Sequence, residues 1–293
     1  MDAKIYKSKK MIIFFLIPAY AFMFLFLYYP FVENILNSFR KINSNLGIPT
    51  KTLNSPIWKN YIEIFQDETM LLALKNTGIM IIATIVGQVG IALLLSLLVS
   101  NIKKGAGFFR VVYFFPIVIS ATALGLLFNI VFEYDGGLIN SILNTKINWK
   151  SQEYAMSTML SPVVWQYVGF YFVILLTGLS GIPEELYEAA SIDGATKLQR
   201  VQYITLPLLR NSISTCVILA VTGALKVFDL PFTMFPGGAA NSSKIWLTGT
   251  YMYNYHSADV DYAATIAIVI VVLGVVLSFI VNHLFESKED YSA

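Results

Sequence analysis

The run YAATIAIVIVVLGVVLSFIVN at residues 262–282 decides what kind of protein this is. It carries no Asp, Glu, Lys or Arg, and at 1.5 Å per residue it is long enough to cross about 30 Å of hydrocarbon as one helix. Working outward, five further runs read the same way: 11–30, 78–100, 111–132, 159–180 and 211–229. The last is diluted by Asn211, Ser212, Ser214, Thr215 and Lys226. Composition agrees with them. Of 293 residues, 56% are hydrophobic and 13% charged, where soluble domains carry about 25% charged residues. That excludes a soluble globular protein, a disordered chain and a coiled coil. A net charge of +2 points to no nucleic-acid partner. The reading is an all-α, polytopic membrane protein of six transmembrane helices.

Six crossings put both termini on one face. The segments on that face (1–10, 101–110, 181–210 and 283–293) are about twofold denser in Lys and Arg than those on the other. The positive-inside bias therefore places both termini in the cytoplasm of a multi-pass plasma (inner) membrane protein. Lys4, Lys7, Lys9 and Lys10 precede the first run as in a secretory signal. The run is too long for a signal h-region, and bulky Phe, Leu and Tyr stand where small cleavage-site residues belong, so it reads as an uncleaved anchor.

Between the first two runs, Ile57, Tyr61, Ile64, Phe65, Leu71 and Leu72 recur at helical spacing. This predicts one or two short external amphipathic helices, either a cap over the bundle or a docking surface. Asp135-Gly136-Gly137 and Pro236-Gly237-Gly238 are turn signals, and Asn241-Ser242-Ser243 matches a glycosylation sequon short enough to arise by chance. Catalytic chemistry is hard to find. There is no G-x-x-x-x-G-K-[S/T] phosphate loop and no H-E-x-x-H, one cysteine (Cys216), and only His256 and His283 as histidines. Gly178-Leu179-Ser180-Gly181 is not a nucleophile elbow. The runs hold no Asp or Glu except Asp229, so the buried carboxylates of ion-coupled transport are missing too. Lys226, one turn before it, either snorkels beside Asp229 or contacts a solute. Uphill transport would need outside energy; otherwise the chain is a passive channel or a transporter of another kind.

The connection GIPEELYEAASIDGATKLQRVQYITLP at 181–207 is the most informative of the loops. Pro183 suits the first helical position, and Glu184, Glu185 and Glu188 lie near the positive end of the helix dipole. Leu186, Ala189, Ala190 and Asp193 share a small, mildly apolar face, and Gly194 ends the helix. Small side chains allow close approach, so the pattern fits a short helix docked in a partner's groove. An interfacial helix is the alternative, but its acidic excess disfavours anionic lipid.

At these residues the chain resembles a known family. Glu188-Ala189-Ala190, three residues, Gly194, nine residues, then Ile204-x-Leu206-Pro207 looks like the EAA loop of binding-protein-dependent ABC importer permeases. Ile182-Pro183, Leu186 and Ile192-Asp193-Gly194-Ala195 are similar to the carbohydrate subgroup, the MalF-like sugar permeases. Asn60-Tyr61 with Asn76-Thr77, Arg110 to Ser120, Gly137-Leu138-Ile139-Asn140 and Leu225-Lys226-Val227-Phe228-Asp229-Leu230 extend the resemblance over about residues 55–285. One departure stands out: Pro236 precedes Gly237-Gly238 where the subgroup has proline after the glycines.

The resemblance implies an ABC importer type I permease (MetI-like) bundle. Residues 1–70 would be the N-terminal anchor helix and external segment, 71–285 the permease domain and 286–293 a cytoplasmic tail. It implies a carbohydrate importer with an extracellular solute-binding protein, a second permease subunit that is a paralogue, and two ATPase subunits. Those ATPases would bind ATP and Mg; this chain would hold no cofactor and no metal. Carried over, Glu188, Ala189, Ala190, Asp193 and Gly194 form the ATPase-coupling surface, and Ile204, Leu206 and Pro207 lead into helix five. The substrate path would run past Gln166, Tyr167, Phe170 and Tyr171 of helix four, Asn129 of helix three, and Ala220, Gly223, Ala224 and Val227 of helix five. Sugars stack on aromatic faces and hydrogen-bond to side chains. The same aromatics also fit ordinary packing or an interfacial belt, and Asn129 and Gln166 could satisfy a neighbouring helix backbone.

Overall fold

The computed structural model describes residues 9–43, 50–100, 102, 105–235, 245–255 and 259–286. Lys4, Lys7, His256, the Pro236-Gly237-Gly238 turn and the Asn241 sequon lie outside these residues. Four uninterrupted helices are long and apolar enough to cross a membrane: Met11–Ser38, Glu68–Ser100, Ala155–Ser180 and Val260–Phe285. Two bent pairs, Ala106–Val118 with Ala121–Val131 and Lys197–Leu208 with Arg210–Leu225, bring the number to six when each pair counts as one span.

The chain divides into two compact units. The first comprises Met1–Gln66 and Met252–Val269. Its span begins as the helix Lys9–Met23, widens to a π-turn at Phe24–Tyr28 and continues as Tyr29–Ser38. Pro30 has no N–H and its ring crowds the carbonyl four residues back, at Phe26, and the wider turn lies over that residue. The apolar side chains from Met11 to Val32 are exposed in the isolated chain. A two-stranded antiparallel hairpin follows, Arg40–Asn43 with Thr50–Leu53, in the register Arg40↔Leu53. It adds a strand element to the expected all-α reading. The short helix Lys59–Gln66 answers the expectation of one or two before the second span. Phe39, Trp58 and Tyr61 cluster around it with centroids 5.2–5.7 Å apart. Buried Asp261 accepts from the Ile42 N–H at 3.2 Å and the Asn60 amide at 3.3 Å, and Asn60 also donates to the Ser38 carbonyl.

The second unit, Asp67–Tyr251 with Ile270–Ala293, holds the main core. Leu71 and Leu72, expected among the short external helices, belong instead to the helix Glu68–Ala83, the start of the second span. Asp67 caps it, accepting from the Thr69 and Met70 N–H groups at 2.9 and 3.2 Å. The third span is corrected as well. Where 111–132 suggests one helix, the chain makes two that meet at 94°. Ile119 and Ser120 are extended, and the Ser120 hydroxyl accepts from the Ala123 N–H, so a new helix starts there. Helix four, Ala155–Ser180, packs closely on the first half of that pair. A Cβ built at Gly169 would run into the Tyr113 carbonyl, so only glycine fits this backbone-to-backbone approach. Phe172, Leu175, Ala92 and Cys216 are fully buried in the cluster between helices two, four and five.

The fifth helix is Arg210–Leu225, shorter than the expected 211–229. Lys226 caps its C-terminus, and Asp229 opens a separate helix, Asp229–Met234. That helix lies against Ala121–Val131, where the Asn129 amide donates to the Thr233 carbonyl at 3.1 Å. The loop 133–154 is organised by buried Asn140. Its amide donates to the Tyr134 and Ile147 carbonyls, and its oxygen accepts from the Ile147 N–H and the Trp149 indole.

Candidate functional site

Helices two, four and five enclose a cavity of about 460 Å³, within the usual range of small-molecule sites. Gln166, Tyr167, Phe170 and Tyr171 line it from helix four, and Ala220, Gly223, Ala224 and Val227 from the end of helix five. All eight were expected on the solute path. Asn129, the ninth, is not among the lining residues, its amide being bonded to the Thr233 carbonyl.

Helix geometry explains the arrangement. On helix four, Gln166 and Phe170 are four residues apart, as are Tyr167 and Tyr171, so two i,i+4 pairs form one face. On helix five the small residues Ala220, Gly223 and Ala224 leave the room that the aromatics border. The Gln166 amide donates to the Ile119 carbonyl at 3.2 Å. That carbonyl sits at the bend of the third span, outside both helices, so the glutamine supplies a partner the helix does not. Gln88 of helix two, which sequence reading missed, donates to the Val163 carbonyl at 2.8 Å, a second hydrogen bond on a carbonyl inside helix four. Each side chain has its nitrogen committed to backbone and its oxygen left as an acceptor. A glutamine inside an otherwise apolar run was the available signal for Gln88.

Lys226 and Asp229 both line this cavity, and among the described residues neither takes part in a salt bridge. Together they make its charged end. Phe228 and Leu230 complete that wall. Among the described residues no group of His, Cys, Asp and Glu is placed to hold a metal ion.

The second feature is the connection between helices four and five. Glu184–Ile192 is a helix with Pro183 at its N-cap, one position earlier than the sequence suggests. Gly194 takes φ +79°, and the Ala195 N–H reaches back to the Ala190 carbonyl at 2.9 Å, closing the helix end. Thr196 then caps a second helix, Lys197–Arg200, in a capping box with Gln199. That T-x-x-Q signature was legible and went unread. A π-turn, Val201–Thr205, precedes Leu206–Leu208; it covers Tyr203, the residue whose carbonyl Pro207 crowds. Ala190, Asp193, Gly194 and Ile204 line one cleft of about 310 Å³ between the two arms. Leu206 and Pro207 lie beyond it, just before the 67° bend into helix five. Glu188 and Ala189 face outward, as do Leu186 and Ile192, which are 43% and 86% exposed.

Four residues that sequence reading did not single out join the two arms. The Tyr187 hydroxyl is 3.0 Å from the Thr205 hydroxyl, and Arg200 Nη1 donates to Ser191 Oγ at 2.9 Å. Ser191 Oγ donates to the Tyr187 carbonyl at 2.5 Å, and Thr205 Oγ1 donates to the Arg200 carbonyl at 3.3 Å.

The comparisons with known proteins match this arrangement. The family model described as binding-protein-dependent transport system inner membrane component matches residues 88–290. The chain is 32% identical to the probable ABC transporter permease protein YurN of Bacillus subtilis, over 94% of this chain and 96% of that one. It is 30% identical to the lactose transport system permease protein LacF of Rhizobium radiobacter, over 91% of each. With the sulfoquinovosyl glycerol transport system permease protein SmoG of Agrobacterium fabrum it shares 28% identity over 94% of this chain and 90% of that one. The crystal structure of a bacterial ABC transporter involved in the import of the acidic polysaccharide alginate contains a chain with the same fold, at TM-score 0.79, 21% identity and 94% coverage of each. Multiple apolar spans, a bent helix pair carrying the EAA-like connection, and a family match over two thirds of the length lead to one assignment. This chain belongs to the family of binding-protein-dependent transport system inner membrane components, as a membrane-spanning ABC transporter permease and not an enzyme.

Proposed function

We propose that the chain is one of two permease subunits of an ATP-driven carbohydrate importer, coupled to separate ATPases through the helix Glu184–Ile192. The observation that carries this reading is the build of that connection. Its inner side is bonded to the following arm, while Leu186, Glu188, Ala189 and Ile192 are presented outward. Apolar side chains open to water on a short helix with small neighbours suit a protein groove. Glu188, Ala189, Ala190, Asp193 and Gly194 are the coupling surface, and Ile204, Leu206 and Pro207 carry its displacement into helix five. ATP and Mg belong to the ATPase chains. Both termini and this connection face the cytoplasm.

Carbohydrate as cargo rests on the cavity and on the relatives. Tyr167 and Phe170 offer ring faces, Gln88 and Gln166 offer acceptor oxygens, and Lys226 and Asp229 offer charged contacts. Relatives bear the names of lactose and sulfoquinovosyl glycerol systems. An extracellular binding protein would deliver the sugar, and a paralogous permease would complete the path. Alternating access follows if ATP-driven closure of the ATPases moves the docked helices and the bent helix five with them. Purifying the complex from its native membrane tests this reading. ATPase chains are expected to co-purify, and uptake into proteoliposomes is expected to stop without ATP. Uptake by this chain without ATP, or a preparation free of ATPase, overturns it.

A further inference from the structure

We infer that Tyr187, Ser191, Arg200 and Thr205 form a closed hydrogen-bond ring that makes the coupling helix and the arm leading to helix five one rigid lever. The inference rests on the coupling role proposed above and adds the residues through which force would pass.

Proton counting fixes the ring's direction. Ser191 has one hydroxyl proton and gives it to the Tyr187 carbonyl at 2.5 Å, so its oxygen accepts from Arg200 Nη1. Thr205 gives its proton to the Arg200 carbonyl at 3.3 Å. Its oxygen is therefore the acceptor in the 3.0 Å contact, and the Tyr187 phenol is the donor. The circuit runs from Tyr187 to Thr205, from Thr205 to Arg200, from Arg200 to Ser191, and back to Tyr187. Each side chain's hydrogen bond leads to the next residue, and one of them is charge-assisted.

Its placement suits a lever. Tyr187, half-buried, and Ser191, exposed, stand one turn apart on the side of Glu184–Ile192 that is bonded to the following arm, across the helix from Glu185, Leu186 and Ala189. Thr205 is buried, and it is the last residue of the π-turn before Leu206-Pro207. Tyr187 directly precedes Glu188. A displacement applied at Glu188–Ala190 therefore meets Thr205 through side chains as well as through the sixteen peptide bonds between them. The backbone route passes Gly194, at φ +79°, and the cleft beside it. These four are positioning residues: they touch neither cargo nor nucleotide.

The test uses the complete transporter, purified with its ATPases into nanodiscs, with Cys216 replaced by alanine and a fluorophore on Leu219→Cys in the cavity wall. The probe is ATP with vanadate. In the otherwise native protein the label's signal is expected to change on trapping. Tyr187→Phe and Thr205→Val should cut that change by about fivefold, the factor one net hydrogen bond supplies, while ATPase subunits still co-purify and bind ATP. Thr205→Ser keeps the hydroxyl and should restore the full response, which a purely structural defect from the changed packing would not predict. Full responses from Tyr187→Phe and Thr205→Val overturn the lever but leave the coupling reading intact. No response in the parent complex, or no ATPase in it, overturns the coupling reading and the lever with it.

Discussion

Gly194 is where the coupling geometry can be broken with the least collateral change. It sits at φ +79°, a region that L-residues enter at a cost of roughly 1–2 kcal/mol. A Cβ built there meets nothing within 4 Å, so substitution strains the backbone without a clash. What the strain threatens is the helix end: the Gly194 N–H on the Ser191 carbonyl at 3.2 Å and the Ala195 N–H on the Ala190 carbonyl at 2.9 Å. Since 1.4 kcal/mol is a tenfold shift in an equilibrium, Gly194→Val should lower the population of the native turn by about tenfold relative to its alternatives. Gly194→Ala should cost less, and Gly194→Asn least, because asparagine tolerates the left-handed region. The assay is the ratio of carbohydrate taken up to ATP hydrolysed in proteoliposomes. The expected order is Gly, Asn, Ala, Val, with hydrolysis retained throughout. A valine variant that transports at the native ratio refutes the argument that this turn transmits motion. An asparagine variant as poor as valine refutes its basis in φ and points to a direct steric contact with the ATPase.

Gly169→Ala would place a methyl group on the Tyr113 carbonyl, and overpacking of this kind costs about 1–3 kcal/mol; the expected result is a lower melting temperature in detergent, with Gly169→Leu failing to accumulate in the membrane. Asn140→Ala orphans the Tyr134 and Ile147 carbonyls and the Trp149 indole, and should destabilise loop 133–154 by about 3 kcal/mol, read as increased proteolysis there and a shift in Trp149 fluorescence. Asp259, just ahead of the last helix, has its carboxyl pushed up to about 6, first by burial and then by hydrogen bonding and repulsion from Asp261. A raised carboxyl pKa means the native state holds the extra proton, so its contribution is fully present below the ordinary value of 3.8 and is lost as pH rises to about 6; hydrogen exchange in 40–66 and 259–265 should quicken over that window, and Asp259→Asn should flatten the dependence. Gln88→Leu removes a hydrogen bond to the Val163 carbonyl and one acceptor of the cavity, so uptake should fall while ATPase subunits still co-purify and ATP hydrolysis stays near native.

What could be read from the sequence is what local chemistry decides. Apolar length marked the four uninterrupted spans and the two bent pairs, because lipid imposes the same demand on every helix that crosses it. Pro183, Gly194 and the small face around Ala189 marked the helix Glu184–Ile192 because caps and left-handed turns are short-range. The eight residues on helices four and five were implied by the family resemblance, counted back from Glu188 and on from Pro207, and they border one cavity. Where the pitch breaks, counting fails. The third span turns through 94° at Ile119-Ser120. A hydropathy window sums over the serine and cannot see that its hydroxyl caps a new helix. Asn129 stood out as a polar group at lipid depth, and of its two expected uses, the solute path or a neighbouring backbone, it takes the second, at the Thr233 carbonyl.

The residues that escaped reading have a second property in common: their partners are far away in sequence or at odd spacings. Gln88 reaches a carbonyl 75 positions on, and Gln166, which the sequence did single out, answers one 47 positions back. Both are polar groups at the depth of an apolar span, and Gln166 serves the Ile119 carbonyl that the bend leaves outside either helix, where an absent donor would cost more than in water. The bend of the third span and the approach of helix four share two contacts: the Gln166 amide answers the Ile119 carbonyl, and Gly169 leaves room for the Tyr113 carbonyl. The cavity is thus a by-product of that pairing, with its walls set by two glutamines whose nitrogens are committed to backbone. Replacing Gly169 should therefore disturb the cavity as much as replacing a residue that lines it.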